Sequence, residues 1–427
     1  MQQPTIQVSI NVSDPVIVDL TSGSESLPVA TRLAPTQLQG FRADVYRGLS
    51  QFLKDIRTGG QIKDFSVLSS ALGRLHEAGR TQNLVLFDDN RHKVEKFFQN
   101  VWRNWQGSGT ESYIPPVVQI TSRLEYSLPL EFFPLFDTSK PGPITDLKSL
   151  SQTVARFPIF STIIGRVFIH PDPHRSPQSR LLPSGGPTKL ENSGRLPVRL
   201  FRHAGLAGAR KERTFFERAD WIEMRGPWPD RSLNSDDFVT DLAGQLWNEA
   251  VPTANAPDQI HHFACHCNTE GNDPLDHSLS LANMQDVGLV SEQSAQIRRL
   301  KGEFGSYPER VAPTVRPLVF LNACGSTKIT PNGITSFPEM FLFNVGNQGV
   351  IGTETRIPDR FAAQFSEQFY LNLVRGATLG EAVFNARWTL LRRLNNPLGL
   401  LYSLYADPYT TVRKPLPNAT TRTGTPE

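Results

Sequence analysis

The sequence predicts an α/β fold with a mainly parallel sheet flanked by helices. From residue 196 onward, short apolar segments typical of strands alternate with helical segments of about 10 to 15 residues, which requires crossover connections between parallel strands. Hydrophobic residues make up 38% of the chain and charged residues 20%, so the disordered and collagen-like classes are excluded. The length of 427 residues allows two or three folding units, or one large α/β domain.

The net charge and the cysteine content indicate which cellular compartment and which binding partners to expect. Lys and Arg (44) nearly balance Asp and Glu (41), and a net charge of +3 provides no field for nucleic acid or an anionic membrane. Three cysteines, an odd and sparse set, argue against a disulfide scaffold and for a reducing compartment. No segment approaches the roughly 18 consecutive apolar residues of a membrane span, and the N-terminus does not resemble a signal peptide. We therefore expect a cytoplasmic protein with no membrane partner and no direct nucleic-acid binding.

The first part of the chain mixes strand and helix patterns. Residues 4–20 alternate apolar and polar side chains around Asp14-Pro15, which predicts a hairpin or two edge strands, and residues 21–36 are typical of a linker. Apolar residues recurring at three to four positions predict helices over 36–57, 66–78 and 92–105. Short apolar runs predict strands at 83–89, 115–122 and 161–169. Residues 170–195, with five Pro, three Gly and four basic residues, predict a long exposed loop, which is either a disordered insertion or a site of partner contact or processing.

The regular alternation follows in the last 230 or so residues. Predicted strands cover 196–203, 220–226, 259–267, 317–326 and 348–354, with a hairpin around 277–283. Predicted helices cover 209–219, 235–250, 291–300, 337–344, 361–374 and 380–394.

A histidine and a cysteine each end one of these apolar strands. The segment "HHFACHC" (261–267) and the segment "LVFLNAC" (318–324) both run into polar loop residues, so His266 and Cys324 lie at carboxyl ends of strands, where reactive groups of parallel sheets are found. A thiol with a free pKa of about 8.5 needs a base beside it to become a nucleophile, and histidine supplies that base. Gly325 lets substrate approach. If the two strands are neighbours, this is the composition of a Cys/His hydrolase without a cofactor.

Other interpretations of these residues are less favoured. "HHFACHC" collects five His or Cys residues, but successive side chains of a strand diverge and structural zinc needs four convergent ligands, so we expect no metal. Two alternatives remain: Cys324 is a buried structural thiol, or His277 is the base. We expect a structural role for His262 and a core position for Cys265.

The set of motifs resembles the CHAT domain, a caspase-like (clan CD) cysteine peptidase module. Besides the two strands above, the segments "NVGNQGVIGTE", "FSEQFYLNLVRGATLGEAVFNAR" and "YADP" follow the order and spacing of that family over about residues 196–409, and "LPLEFF" (128–133) is similar to its N-terminal half. The resemblance implies a caspase-like fold with a non-catalytic N-terminal half and a catalytic C-terminal half. We therefore expect an N-terminal β extension and linker (1–35), a non-catalytic caspase-like subdomain (36–169), the flexible loop (170–195), the catalytic subdomain (196–412) and a disordered tail (413–427).

Carried over by position, the resemblance makes Cys324 the nucleophile and His266 the catalytic base. The backbone amides of Cys324 and Cys267 would hold the oxyanion, although Cys267 stands where the family usually has Gly. Asp273 and Asp276, in the loop after His266, are candidates for a substrate pocket that takes a basic residue, or else belong to a solvated loop. The family implies cleavage of a protein substrate, activation by a separate protein, and a role in bacterial antiviral or programmed-death systems. The alternative is a catalytically silent caspase-like scaffold.

Overall fold

The protein is described here by a computed structural model that covers most of the chain. It describes residues 5–11, 13–56, 58–106, 115–123, 126–169, 181–182, 189–190, 195–231, 233–247, 258–269, 273–284, 290–305, 316–328 and 336–412. The predicted tail (413–427) and most of the predicted loop (170–195) lie outside these residues. None of the helices in the described ranges is both long and apolar enough to cross a membrane.

The first sheet is built from the first 182 residues. Its six strands are β1 (Ile6–Asn11), β2 (Ile17–Ser22), β3 (Glu25–Ala30), β4 (Val117–Ser122), β5 (Ile163–Ile169) and β6 (Leu181–Leu182), in the order β3-β2-β1-β4-β5-β6. β1, β4 and β5 run parallel, and β1 and β2 form the predicted hairpin. The linker prediction over 21–36 is wrong, because β3 lies there and pairs with β2. Its Pro28 is tolerated since β3 is an edge strand.

Within the described part of residues 5–182, five α-helices accompany this sheet. They are α1 (Leu38–Ile56), α2 (Phe65–Phe87), α3 (Arg91–Gln106), α4 (Leu147–Val154) and α5 (Pro158–Ser161). The predicted strand at 83–89 is wrong, because α2 continues to Phe87. Leu84 and Val85 are 45% and 44% exposed while Leu86 and Phe87 are buried, a pattern of one helical face rather than of a buried strand.

The second sheet carries the predicted alternation of strands and helices. Its strands are β8 (Leu196–Arg202), β9 (Ile222–Trp228), β10 (Ile260–Ala264), β14 (Leu318–Asn322), β15 (Gly349–Thr353) and β16 (Tyr402–Tyr405), in the order β16-β15-β14-β10-β8-β9. All neighbours are parallel except β15 and β16. The predicted α/β class with a mainly parallel sheet is therefore confirmed.

Smaller elements complete this part of the chain. A three-stranded sheet consists of β11 (His266–Asn268), β12 (Ser278–Met284) and β13 (Val290–Gln296), and two short strands, β7 (Lys189–Leu190) and β17 (Thr411–Val412), pair in parallel. The helices are α6 (Ala207–Arg218), α7 (Ser235–Leu246), α8 (Ile297–Gly305), α9 (Phe337–Glu339, continued by a π-helical segment over Met340–Val345), α10 (Asp359–Val374) and α11 (Leu379–Leu394). The helix predicted over 291–300 begins only at Ile297, because the preceding residues form β13.

One hydrophobic core continues from the first sheet into the second. We call the part of the chain with the first sheet the first half, and the part with the second sheet the second half. The buried Arg387 of α11 joins these halves. Its guanidinium donates to the carbonyl oxygens of Ile159 at 3.0 Å, Gly399 at 3.2 Å and Tyr402 at 2.6 Å. Strands β1 to β3, predicted to be an extension, share a sheet with β4 and β5. The division at residues 35, 169, 195 and 412 stays a prediction.

Glycine is required where the two halves meet. A Cβ at Gly380 would lie 2.3 Å from Ile163 Cγ2, and a Cβ at Gly165 would lie 2.5 Å from Pro408 Cδ. Since real Cβ atoms do not approach other carbons so closely, a side chain at either position would require its neighbours to move, and the halves pack closely only with glycine there.

Replacing Arg387 by Met should destabilise both halves together. The change leaves three buried carbonyl oxygens without their donor, so we expect the free energy of unfolding to fall by about 3 kcal/mol. Urea denaturation measures it, with Arg393→Met, at an exposed position of the same helix, as the control that stays within about 0.5 kcal/mol. Equal midpoints for the two variants would contradict this role of Arg387.

Candidate functional site

The two strands that precede His266 and Cys324 are direct neighbours. β10 and β14 pair in parallel from Ile260 with Leu318 to Ala264 with Asn322, and every residue of both strands is buried. His266 and Cys324 each follow two residues after the last pair. The expectation that they meet at one carboxyl edge of the sheet is therefore confirmed.

A cavity of about 170 Å³ lies at this edge and has both side chains in its wall. Its lining includes His266, Cys324, Leu206, Glu212, Ile357 and Asp359. His266 is exposed and Cys324 is half-buried, with its Sγ 3.8 Å from the carbonyl oxygen of Ile357. Among the hydrogen bonds of the described residues, none joins His266 to Cys324. The imidazole and the thiol thus share one cavity without a direct hydrogen bond.

The strand predicted over 259–267 is interrupted immediately before His266. β10 ends at Ala264, Cys265 makes a bend, and β11 begins at His266 and joins the sheet of β12 and β13. His266 is therefore held by the pairing of β11 with β12 rather than by the main sheet. The bend also turns the chain so that His266 is exposed while Cys265 is buried.

His203 is a site residue that sequence reasoning missed. It follows β8, the neighbour of β10, and its ring packs against the His266 ring edge-to-face with centroids 4.7 Å apart. The backbone amide of Gly205 donates to His203 Nδ1 at 3.2 Å. The signal was its place at the carboxyl end of a third parallel strand, next to the strand of His266.

The backbone after Cys324 forms a tight turn. Gly325 has φ of +64°, and its amide donates to the carbonyl oxygen of Thr355 and to Thr353 Oγ1, both at 2.9 Å. The amide of Gly325 is thus already engaged. Within the described residues, the amide of Cys324 donates to no backbone carbonyl. Cys267, the other predicted oxyanion donor, lies opposite Leu279 in the ladder between β11 and β12.

A buried polar network lies beneath the cavity and centres on Glu212 of α6. Glu212 Oε1 accepts hydrogen bonds from Asn322 Nδ2 and from Ser366 Oγ at 2.5 Å, and Asn322 Oδ1 accepts from the Tyr402 hydroxyl at 2.6 Å. His262 Nε2 lies 3.5 Å from Glu212 Oε2. This network fits the structural role expected for His262 and connects the strand of Cys324 to α6 and β16.

The other two cysteines are poorly suited to be nucleophiles. Cys265 is 3% exposed, and burial raises the pKa of its thiol. Burial also raises the pKa of the Cys267 thiol well above its ordinary value, with smaller contributions from Cys265 and Cys324. Since the thiolate is the reactive form, a raised pKa makes both thiols less reactive at neutral pH.

A second, larger cavity of about 460 Å³ also has Cys324 in its wall. It lies between the turn after Cys324 and helix α1 of the first half, and its lining includes Cys324, Cys267, Lys54, Lys328, Glu354 and Arg356. Cys324 therefore stands between two cavities, and the larger one is shared by the two halves of the chain.

Asp273 and Asp276 line neither cavity. Asp273 accepts a hydrogen bond from the Leu275 amide at 2.8 Å, which is the main reason that its pKa is lowered, and both carboxylates contact Arg298, at 2.5 and 3.4 Å. These exposed contacts fit the alternative of a solvated loop. Across the described ranges, no three His, Cys, Asp or Glu side chains are grouped so that they could hold a metal ion.

Comparison with known proteins places the chain in a family. The profile of the CHAT domain matches residues 153–410, well over half of the chain. The chain belongs to the CHAT domain family. A curated relative described as a probable protease, from Vitiosangium sp. (strain GDMCC 1.1324), is 38% identical over 95 residues, which are 22% of this chain and 12% of that protein. The chain thus matches only a small part of that relative's length.

Two solved structures align with the chain at low sequence identity. The separase–securin complex of Saccharomyces cerevisiae aligns with a TM-score of 0.44 and 10% identity, over 95% of this chain and 30% of that chain. A structure described as a protease aligns with a TM-score of 0.41 and 10% identity, over 75% of this chain and 69% of that chain. The CHAT resemblance expected from the motifs is confirmed by the family match.

The three thiols should differ in their reactivity toward alkylation. With iodoacetamide at neutral pH, we expect Cys324 to be modified first, and Cys265 and Cys267 at least about tenfold more slowly, because each unit of raised pKa lowers the thiolate fraction about tenfold. Peptide mapping by mass spectrometry of the native protein measures the rates. Urea-unfolded protein, in which the three rates should converge, is the control. Equal rates in the native protein would contradict the assignment.

Proposed function

We propose that this protein is a cysteine endopeptidase that uses a dyad of Cys324 and His266. The observation that carries the proposal is the convergence of the two side chains on one cavity from the carboxyl ends of paired strands β10 and β14. Membership of the CHAT domain family and the protease description of the relative support it. The substrate is then a protein chain, and no cofactor takes part.

In this mechanism Cys324 attacks the carbonyl carbon of the scissile peptide bond. His266 removes the thiol proton and later delivers a proton to the leaving amine, which breaks the peptide bond and leaves an acyl-enzyme. Water, deprotonated by the same imidazole, then hydrolyses the thioester and restores the thiol. The edge-to-face packing of His203 against His266 would hold the imidazole in one orientation during these transfers.

The oxyanion would be stabilised by the backbone amides of Cys324 and Cys267. The amide of Gly325 is excluded from this role because it donates to Thr355 and Thr353. A hydrogen-bond donor that is fixed in position before the reaction increases kcat by about 10²- to 10³-fold. Replacing Cys267 by Gly, the usual family residue, keeps the backbone amide and should therefore leave activity in place.

We further infer that activity depends on a separate activating protein. Support comes from the resting geometry, in which Sγ of Cys324 lies near the Ile357 carbonyl and makes no hydrogen bond to His266 among the described residues. A partner that moves the 353–359 segment would release Sγ toward the imidazole. A cytoplasmic role in bacterial antiviral defence or programmed death, as the family implies, fits a protease controlled in this way.

Cleavage by the wild type and by Cys324→Ala tests the dyad. The proteins are incubated with a peptide library from a bacterial proteome, with and without lysate of the native host, and new N-termini are counted by mass spectrometry. We expect Cys324→Ala and His266→Ala to lose at least about 10³-fold in rate, because nucleophile and base act as a unit.

Cys265→Ala serves as the matched control, since it removes a thiol from the same segment without touching the dyad. It should retain cleavage. Termini produced equally by Cys324→Ala would rule out the proposed nucleophile. A wild type that produces no more termini than Cys324→Ala under either condition would favour the catalytically silent scaffold.

A further inference from the structure

Helix α6 of the second half has an excess of positive charge around its solvent-facing side. We call this surface the basic face of α6. Its five cations are Arg202, the last residue of β8, and Arg210, Lys211, Arg213 and Arg218 of the helix. Two carboxylates accompany them: Glu217, which pairs with Arg213, and Glu367 of α10, which lines the same groove as Lys211. Cations therefore outnumber carboxylates on this face.

Arg202 lacks a counterion among the described residues. It is 8% exposed, its Nε has no hydrogen-bond partner, and it forms no ion pair there. The nearby Glu217 is taken by Arg213, with Nε and Oε1 2.6 Å apart. Burial, followed by the charge of Arg213, lowers the pKa of Arg202. Since a buried cation without a counterion lowers stability, Arg202 is better explained by an anion that comes from outside the chain than by the fold.

The positive charge also opposes the dipole of α6. The first turn of the helix contains no acid, and Arg210 and Lys211 are its fourth and fifth residues. Positive side chains near the N-terminus of a helix are unfavourable. Arg210 is compensated in part because it donates to the carbonyl oxygen of Ala204 at 3.2 Å, whereas Lys211 has no ion-pair partner in the described ranges. This second cost favours a binding role for the cations over a structural one.

An open groove of about 700 Å³ lies on the basic face. Arg210, Lys211 and Arg218 line it together with the apolar residues Ala207 and Phe215. The ring of Phe215 is half-buried, so part of it remains available as an apolar contact between the cations. Such a groove fits a peptide that combines carboxylates with apolar side chains better than a nucleic-acid backbone, which offers phosphates alone.

Helix α6 is joined to both sides of Cys324. At its start, the amide of Gly208 donates to Asp359 Oδ2 at 2.6 Å. Asp359 lies two residues after Ile357, whose carbonyl oxygen is 3.8 Å from Cys324 Sγ. In the middle of the helix, Glu212 accepts a hydrogen bond from the last residue of β14. A partner that shifts α6 therefore acts on the segment after β15 and on the end of β14 together.

We propose that the basic face of α6 is the docking surface for the activating protein, and that the segment of that protein which binds here is acidic. Its carboxylates pair with Lys211 and Arg218 and supply the counter-charge of Arg202, while its apolar side chains contact Phe215. This proposal rests on the proposed function, because it assumes a peptidase that a separate protein activates.

Binding is tested with a short fluorescein-labelled peptide in which Glu alternates with Leu, measured by fluorescence anisotropy on the full chain. We expect it to bind at least about tenfold more tightly than the same peptide with Gln in place of Glu. Lys211→Glu/Arg218→Glu should weaken its binding at least about tenfold. The matched control is Lys93→Glu/Lys96→Glu, which reverses two exposed charges on α3 and should change the affinity by less than about twofold.

Arg202→Met separates a binding role of Arg202 from a structural one. Because no described residue neutralises this cation, we expect the urea midpoint of the variant to equal or exceed that of the wild type. The Glu peptide should bind the variant about threefold or more weakly. A lower midpoint with unchanged peptide affinity would assign Arg202 to the fold and remove it from the docking surface.

The connection to Cys324 is measured by the rate at which iodoacetamide modifies that thiol. Saturating Glu peptide should raise the rate about threefold or more in the wild type, because movement of the segment after β15 releases Sγ from the Ile357 carbonyl. The same peptide concentration should leave the rate of Lys211→Glu/Arg218→Glu unchanged. Asp359→Leu, which removes the acceptor of the Gly208 amide, should still bind the peptide but lose the response.

The outcomes separate the two proposals. Equal binding of the Glu and Gln peptides, or an equal loss in the α3 control, overturns the docking surface. A single-stranded RNA of the same charge that binds more tightly than the Glu peptide, and is lost in Lys211→Glu/Arg218→Glu, overturns the acidic protein as the partner. Unchanged modification of Cys324 with the peptide bound overturns the connection to the thiol.

None of these measurements requires cleavage of a substrate. If the wild type and Cys324→Ala produce the same new N-termini, the peptidase proposal fails, and peptide binding still decides whether the basic face of α6 takes an acidic segment.

Discussion

The in-register parallel pairing of β10 with β14 is the constraint on which the site depends. Both strands are buried on both faces: Phe263 and Leu321 pack into the core on one side, while His262 and Phe320 pack on the other. A slip of one residue would exchange these two sets and bury the polar ones in the wrong layer. The packing of the strands therefore decides which residues leave the sheet together, and the reactive groups lie beyond the last pair.

Buried polar side chains fix the carboxyl edge of the second sheet in position. Asn322, the last residue of β14, is held on one side by Glu212 and on the other by Tyr402, so the strand end, α6 and β16 form one hydrogen-bonded unit. Buried polar groups are costly unless they are fully paired, and here each one fixes the position of the next. Cys324, which lies on the turn two residues after Asn322, thus follows a strand end that is fixed in position.

The sequence predicts the site residues that directly follow buried apolar strands. It does not predict features that depend on packing between segments far apart in the chain. Apolar runs ending in loop residues were sufficient to place His266 and Cys324 at one edge, because parallel strands align their carboxyl ends. The helix through Phe87 was misread as a strand, because a short apolar run does not show which face it buries. The bend at Cys265 and the packing of His203 on His266 depend on contacts with β12 and β8, which spacing along the chain does not contain.

The glycines at the junction of the two halves limit which part of the chain can be moved into another protein. Gly165 lies against Pro408 and the carbonyl oxygen of Ala406, and Gly380 lies against the side chain of Ile163. The guanidinium of Arg387 donates to carbonyl oxygens of both halves. Separating the part of the chain that carries the second sheet from the part that carries the first would expose this fitted surface and a buried guanidinium to water. The smallest piece that can be transferred between proteins or expressed alone is therefore the part of the chain that contains both sheets, and a boundary cut between the sheets would not produce a folded unit.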